Sequence, residues 1–160
     1  MARVYSYLGH REDNLDFFTH DESSHMRDVR SLLDVTKTLF VFVLIVLVFA
    51  GHSFARRYRK GTVTEKPRVI DSIRKVLLFG GVSALALTLL VAVAAMFDFL
   101  GFWYSFHGIL FPQGNWQFPA GSALLALFSQ QFFERFALQT GFAAGSFAAL
   151  SVITSQILKP

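Results

Sequence analysis

Three long stretches of the chain contain no charged side chain, and they set the first expectation about its structure. They cover residues 38–55, 76–97 and 136–158. A helix rises about 1.5 Å per residue and the hydrocarbon core of a bilayer is about 30 Å thick. Each stretch is therefore long enough to cross a membrane, the first only just. The pattern predicts an all-α membrane protein whose single domain, residues 1–160, is built on a three-helix transmembrane bundle.

The connection between the first two predicted spans is strongly basic. Residues 56–75 hold eight of the fifteen Lys and Arg side chains. A short basic connection between two spans marks the cytoplasmic side of a membrane. Residues 1–37 and 98–135 are then extracytoplasmic. We interpret the basic charge as a signal for orientation that also contacts acidic membrane lipids, and not as a site for nucleic acid.

The polar segment before the first span carries a helix signal. Thr19 and Glu22 have the spacing of a capping box, in which each side chain binds the backbone of the other residue. Helical spacing of apolar residues then leads into residues 38–55. No span precedes these 37 polar residues, so the economical interpretation is that an upstream helix is missing, through truncation or a misplaced start.

The segment after the second span is rich in aromatic, glycine and proline residues. These breakers predict loop or re-entrant structure over residues 98–122, at the outer membrane interface, which aromatic side chains favour. Residues 124–136 are expected to form a further helix that leads into the last span. Within that span, Gly141 and Gly145 are spaced for close packing against another helix. Together the extracytoplasmic segments form an interfacial cap.

Two histidines on the predicted outer side are the best candidates for chemistry. His25 has Asp28 three residues later on the same helical face, within reach of a hydrogen bond. Such a carboxylate fixes one ring nitrogen and leaves the other free as a base. His107 lies among aromatic residues beyond the second span. Asn115 and Trp116 either donate hydrogen bonds to a developing oxyanion or cap a turn.

Several kinds of site are excluded by composition and spacing. The chain has no cysteine, which removes disulfides and thiolate chemistry. No compact set of metal ligands and no glycine-rich phosphate loop is present. We therefore expect no metal and no cofactor.

Two runs of the sequence point to a known family. "YLGHREDNLDFFTHDESSHMRDVRSLL" and "FDFLGFWYSFHGILFPQGNWQFPAGSALLALFSQQFF" stand in the same order as corresponding blocks of a bacterial membrane family, with a basic connection between them. The shared features include Ser24-His25-Met26, Asp28-Val29 and Phe106-His107. Over most of residues 6–136 the chain resembles the lipoprotein intramolecular transacylase family.

The resemblance implies an enzyme that moves the sn-2 acyl chain of a diacylated lipoprotein onto the amine of its own N-terminal cysteine. The product is a lyso-form lipoprotein, made at the outer face of the bacterial cell membrane. It also implies a four-helix bundle, here lacking its first span, and catalytic histidines at His25 and His107. One local departure is Ser129, where the family would have proline.

We expect His25 to act as the base with help from Asp28, and His107 to act as acid or oxyanion donor. The opposite assignment of the two histidines is left open. Substrate contacts are assigned to the following four residues: Ser24, Tyr104, Asn115 and Trp116. The expected partners are the diacylated lipoprotein and membrane lipids; the oligomeric state is left open. The competing hypothesis is a non-catalytic membrane subunit or scaffold whose outer segments dock a partner.

Overall fold

Helices make up 80% of the structure, a computed structural model that describes residues 2–63 and 65–158, and no strand occurs within those ranges. The predicted all-α fold class is confirmed. In chain order the helices are α1 (Ala2–Leu8), α2 (His20–Lys60), α3 (Lys66–Phe97), α4 (Phe99–Leu110), α5 (Ala123–Leu127) and α6 (Gln130–Ile157).

Helices α2, α3 and α6 are long and apolar enough to cross a membrane, as the three uncharged stretches predicted. The capping box at the start of α2 is also confirmed. The backbone N–H of Glu22 donates to Thr19 Oγ1 (3.3 Å), and the N–H of Thr19 donates to Glu22 Oε2 (2.8 Å). The pair satisfies donors that the first helical turn leaves without an intrahelical acceptor.

Most of the basic segment, residues 56–75, is helical and not loop. Helix α2 continues to Lys60, and α3 begins at Lys66 with Pro67 in its first turn. Proline is well placed there because the first turn needs no backbone donor. The connection between the two helices is therefore much shorter than the charge pattern suggested.

The aromatic segment also differs from its prediction, because residues Phe99–Leu110 form α4 where loop or re-entrant structure was expected. Gly101 and Gly108 lie inside this helix and do not break it. A glycine costs a helix only about 1 kcal/mol relative to alanine, and ring packing of Trp103 against Phe99 and Phe133 offsets that cost. The helix ends at Leu110, two residues before Pro112, because proline disfavours helical backbone in the residue before it.

The helix expected over residues 124–136 is interrupted. Helix α5 stops at Leu127, and α6 starts at Gln130 and continues into the last apolar stretch. Ser129 lies at the break, where its Oγ accepts a hydrogen bond from the N–H of Phe132 (3.4 Å). Serine caps helix starts in this way, so Ser129 separates the two helices.

The chain divides into two compact units. The first comprises residues 1–42 and 99–135, and it has a hydrophobic core of its own. Two residues of α1, Val4 and Tyr7, pack there with Met26 of α2 and Leu124 of α5. This core fixes α1 and α5 against the first turns of α2, which carry His25.

The second unit comprises residues 43–98 and 136–160, and its outer surface is apolar. Side chains such as Phe49 (73% exposed) and Phe142 (81%) have no cover within the described residues, as suits a surface that contacts lipid. Helices α3 and α6 approach each other closely at Gly81. A Cβ atom there would lie 2.8 Å from Val152 Cγ2 and 2.9 Å from the carbonyl oxygen of Ala148.

The expected packing face at Gly141 and Gly145 is only partly correct. Gly145 faces Thr88 at an ordinary contact distance of 3.9 Å, whereas no described atom lies within 4 Å of a Cβ built on Gly141. The close approach instead uses Gly81, whose neighbourhood also includes a hydrogen bond from Ser151 Oγ to the carbonyl oxygen of Leu77 (3.0 Å).

Gly81→Ala is expected to destabilise the second unit, whereas Gly80→Ala is not. The added methyl group at position 81 collides with backbone and side chain of α6, and such overpacking costs about 1–3 kcal/mol. At position 80 the methyl group meets open space, and alanine favours the helix by up to about 1 kcal/mol. Thermal unfolding of the two detergent-solubilised variants gives the comparison. Equal melting temperatures would contradict the α3–α6 contact.

Candidate active site

His25 and His107 come together inside the first unit. Their ring centroids are 6.0 Å apart, and each side chain is only 6% exposed. His25 lies in the second turn of α2, before the uncharged stretch of that helix, and His107 lies near the end of α4. The predicted convergence of these two side chains is therefore present.

Aromatic rings surround the histidine pair. Phe111 touches both of them, with centroids 4.8 Å from His25 and 5.7 Å from His107. Trp103 (4.1 Å) and Trp116 (5.0 Å) lie against His107, and Phe118 (5.7 Å) lies against His25. The imidazoles thus sit in a largely apolar environment, which favours their neutral forms.

The backbone of α4 determines the tautomer of His107. Nδ1 lies 2.9 Å from the carbonyl oxygen of Trp103, one helical turn earlier. A carbonyl oxygen only accepts hydrogen bonds, so Nδ1 carries the proton and donates. In the neutral ring Nε2 then holds the lone pair, which is the requirement for a base.

The predicted hydrogen bond between Asp28 and His25 is absent. Asp28 Oδ2 instead accepts hydrogen bonds from Gln113 Nε2 (2.8 Å) and Asn115 Nδ2 (2.6 Å). Both amide donors belong to the segment after α4, and they bind the carboxylate in place of His25. Asp28 therefore fixes that segment to α2 and influences His25 only through its charge.

Asn115 has its donor group committed and its acceptor free. Its Nδ2 donates to Asp28 and also to Ser24 Oγ (3.3 Å). Both N–H groups are therefore occupied, and Asn115 does not supply the oxyanion donor that the sequence suggested as one of its two roles. Within the described residues, Asn115 Oδ1 and His25 Nδ1 are the two buried side-chain atoms that lack a hydrogen-bond partner. The site therefore presents unsatisfied polar atoms beside the imidazole pair.

The remaining predicted substrate contacts lie at different distances from the pair. Ser24, the chain neighbour of His25, accepts a hydrogen bond at Oγ from Asn115. Trp116 packs on His107, whereas Tyr104 packs on Trp116 (5.3 Å) and is 55% exposed. Tyr104 is thus placed at the outside of the aromatic cluster.

A buried carboxylate holds the site's elements together. Glu22 is 1% exposed and, besides capping α2, accepts a hydrogen bond at Oε1 from the N–H of Leu124 in α5 (3.0 Å). Burial tends to raise the pKa of this carboxyl, but hydrogen bonds from the backbone of Leu124 and Thr19 outweigh it, so the pKa is lowered. The charged form is retained because it accepts these donors.

The sequence pattern did not mark Trp103, Phe111 or Phe118 as parts of the site, and it indicated only a capping role for Glu22. Trp103 stands four residues before His107, which is the spacing of neighbours on one helix face. That signal required α4 to be recognised as a helix. The contacts of Phe111, Phe118 and Glu22 depend on tertiary packing and had no local signal.

Burial lowers the pKa of both imidazoles. For His25 the pKa falls to about 4, first because of burial and then because of the charge of His107; Asp28 and Asn115 act weakly in the opposite direction. For His107 burial also lowers the pKa, opposed by the hydrogen bond with Trp103. Both rings are neutral at neutral pH.

We expect ¹⁵N NMR of the imidazoles to find His25 neutral until the pH falls well below 6.5. Asp28→Asn should lower the pKa of His25 further, because the carboxylate stabilises the cation, and His107→Gln should raise it. Protonation of His25 favours the unfolded chain, where its pKa is the ordinary value of about 6.5. The contribution of neutral His25 to the free energy of unfolding is therefore complete above about pH 6.5 and is lost as the pH falls towards about 4. A His25 pKa near 6.5 would contradict its burial.

Comparison with known proteins assigns this chain to a family. The family model for the lipoprotein intramolecular transacylase Lit matches residues 1–133 of this chain. The chain belongs to the Lit family. No curated protein and no solved structure gave a match. The Lit match covers every residue of the site described above and links the chain in general to lipoprotein transacylation, with a lipoprotein as substrate.

Proposed function

We propose that this protein is an intramolecular transacylase that transfers the sn-2 acyl chain of a diacylated lipoprotein to the α-amine of its N-terminal cysteine. The observation that carries the proposal is the 6.0 Å separation of two buried imidazoles in a chain of the Lit family. General acid–base catalysis needs such groups within hydrogen-bond reach of the same reacting atoms.

His107 is the better base of the pair. Its Nδ1 is occupied by Trp103, so Nε2 is available to take the proton from the attacking amine. An α-amine has a pKa of about 8, so part of it is neutral at neutral pH and an imidazole is a suitable acceptor for the proton released on attack. This assignment exchanges the roles that the sequence favoured, since Asp28 does not orient His25.

His25 is suited to stabilise the negative charge that develops on the carbonyl oxygen of the ester. Because its pKa is about 4, the ring stays neutral and offers an N–H donor. As the amine nitrogen attacks the sn-2 carbonyl carbon, this donor stabilises the tetrahedral oxyanion in a site of low polarity. Asn115 Oδ1, a buried acceptor, is placed to receive an N–H of the amine and orient it.

The reaction is completed by proton return. The bond between the carbonyl carbon and the sn-2 oxygen breaks, and protonated His107 delivers its proton to the departing glyceryl oxygen. An amide has formed and an ester has been lost, which is downhill and requires no nucleotide. Both groups belong to one molecule, so attack gains the advantage of effective molarity.

The proposed site lies on the extracytoplasmic side of a bacterial cell membrane. Support comes from the concentration of positive charge in residues 56–75, which favours the cytoplasm. His25 and His107 belong to the segments at the other ends of the two spans that this basic segment joins. Lipoprotein substrates carry their lipid anchor in the same membrane.

The test is conversion of a synthetic diacylated lipopeptide by the purified full chain. Transfer within one molecule leaves the mass unchanged, so the product is recognised by loss of the reactive amine and by fragment ions with an N-linked acyl group. A mixture of unlabelled and deuterated lipopeptides should give no crossed product. Intact amine after prolonged incubation would contradict the activity, and crossed product would contradict transfer within one molecule.

A further inference from the structure

A groove of about 590 Å³ lies between α2 and the segment that contains Tyr7, His10 and Asp13. At roughly 100° per residue along α2, its lining residues Arg27, Arg30 and Asp34 centre on the face opposite His25. The groove is therefore separate from the histidine pair, and the proposed reaction makes no use of it.

Contacts between α2 and the segment with Tyr7 and His10 already satisfy two charged residues of the lining, Arg30 and Asp34. The guanidinium of Arg30 lies 4.7 Å from the ring of Tyr7 and donates to His10 Nδ1. His10 Nε2 lies 2.8 Å from Asp34 Oδ2 and therefore donates to it. These contacts fix the shape of the groove at its polar end.

Two opposite charges on the lining remain unused. Within residues 2–63 and 65–158, neither Arg27 nor Asp13 makes an ion pair or a side-chain hydrogen bond, with each other or with another group. Both side chains are exposed. The groove thus presents a separate cation and anion to any ligand that enters it.

The other end of the groove is apolar. Val35 (53% exposed) and Leu39 (59%) line it, and Leu39 already belongs to the uncharged stretch that begins at Thr38. A ligand that fills the groove therefore needs a charged head and a hydrocarbon tail, which is the chemistry of a membrane lipid.

We infer that this groove binds a phospholipid with a zwitterionic ethanolamine-phosphate headgroup. The phosphate lies at Arg27, the ammonium lies at Asp13, and an acyl chain runs along Val35 and Leu39. Glycerol phosphate lacks a cation for Asp13. Choline phosphate carries a cation without N–H donors, so its contact with the carboxylate is weaker.

The experiment measures lipid binding to the full-length protein by native mass spectrometry after delipidation in detergent. Phosphatidylethanolamine, phosphatidylglycerol and phosphatidylcholine with identical acyl chains are titrated separately. We expect phosphatidylethanolamine to bind about fivefold more tightly than the other two, the size that exposed charge contacts allow. Equal binding of the three lipids would overturn the inference, and so would a preference for phosphatidylglycerol.

Variants of the protein test which residues cause the preference for phosphatidylethanolamine. Arg27→Gln and Asp13→Asn should each remove most of that preference, whereas the matched exposed changes Arg135→Gln and Asp21→Asn should leave it unchanged. A diacylated lipopeptide should not displace the bound phospholipid, because the groove faces away from His25. Displacement, or a preference that survives both groove variants, would overturn the assignment. These results do not depend on whether the protein turns the lipopeptide over.

Discussion

His25→Ala and His107→Ala should each lower the rate at which lyso-form product forms by about 10²- to 10⁴-fold, the usual contribution of a general acid or base. In His107→Ala the attacking amine loses the proton acceptor whose Nε2 is left free by Trp103. In His25→Ala the oxyanion loses a buried neutral donor. The measurement is the initial rate of amine loss from the diacylated lipopeptide.

A matched control lies on the same helix as His25. The ring of His20 is 90% exposed at the start of α2, so His20→Ala should keep the wild-type rate. Conservative changes then separate catalysis from docking. If the two stretches only bind a partner, His25→Gln and His107→Gln should be tolerated; a wild-type rate from either folded variant would remove the catalytic assignment.

Glu22→Ala should lower the melting temperature strongly, because this buried carboxylate joins the start of α2 to α5. The change leaves the N–H of Leu124 without its acceptor in a buried position, and it also removes the acceptor of the partly buried N–H of Thr19. Each orphaned donor costs about 1–3 kcal/mol, so a loss of about 3 kcal/mol is expected. For a chain of this size that corresponds to a drop of roughly 10 °C.

The neighbouring residue provides the control for this prediction. Asp21 stands in the same helical turn with a side chain that is 84% exposed, so Asp21→Ala should cost less than about 1 kcal/mol. Glu22→Gln keeps one oxygen acceptor and should fall between the two. The melting temperatures of the purified proteins in detergent test this order. Similar melting temperatures for Glu22→Ala and Asp21→Ala would show that Glu22 does not hold α2 to α5.

Local sequence signals predicted the parts of the fold that depend on local physics. Uncharged stretches located the three long apolar helices, because a membrane excludes charge along a whole segment. The capping box located the start of α2, because its two hydrogen bonds join residues three apart. In α4 the same kind of reasoning was wrong, since it counted the glycines as breakers and did not weigh the packing of the aromatic residues.

For the site, the sequence by itself determined which imidazoles merit attention, because His25 and His107 stand in unusual surroundings and match a known family. Only the tertiary structure decided that they meet, since they lie on separate helices. It also decided that Asp28 binds Gln113 and Asn115, partners 85 and 87 positions later. A carboxylate goes to the donors that packing brings nearest, and spacing along one helix does not reveal donors that arrive from another segment.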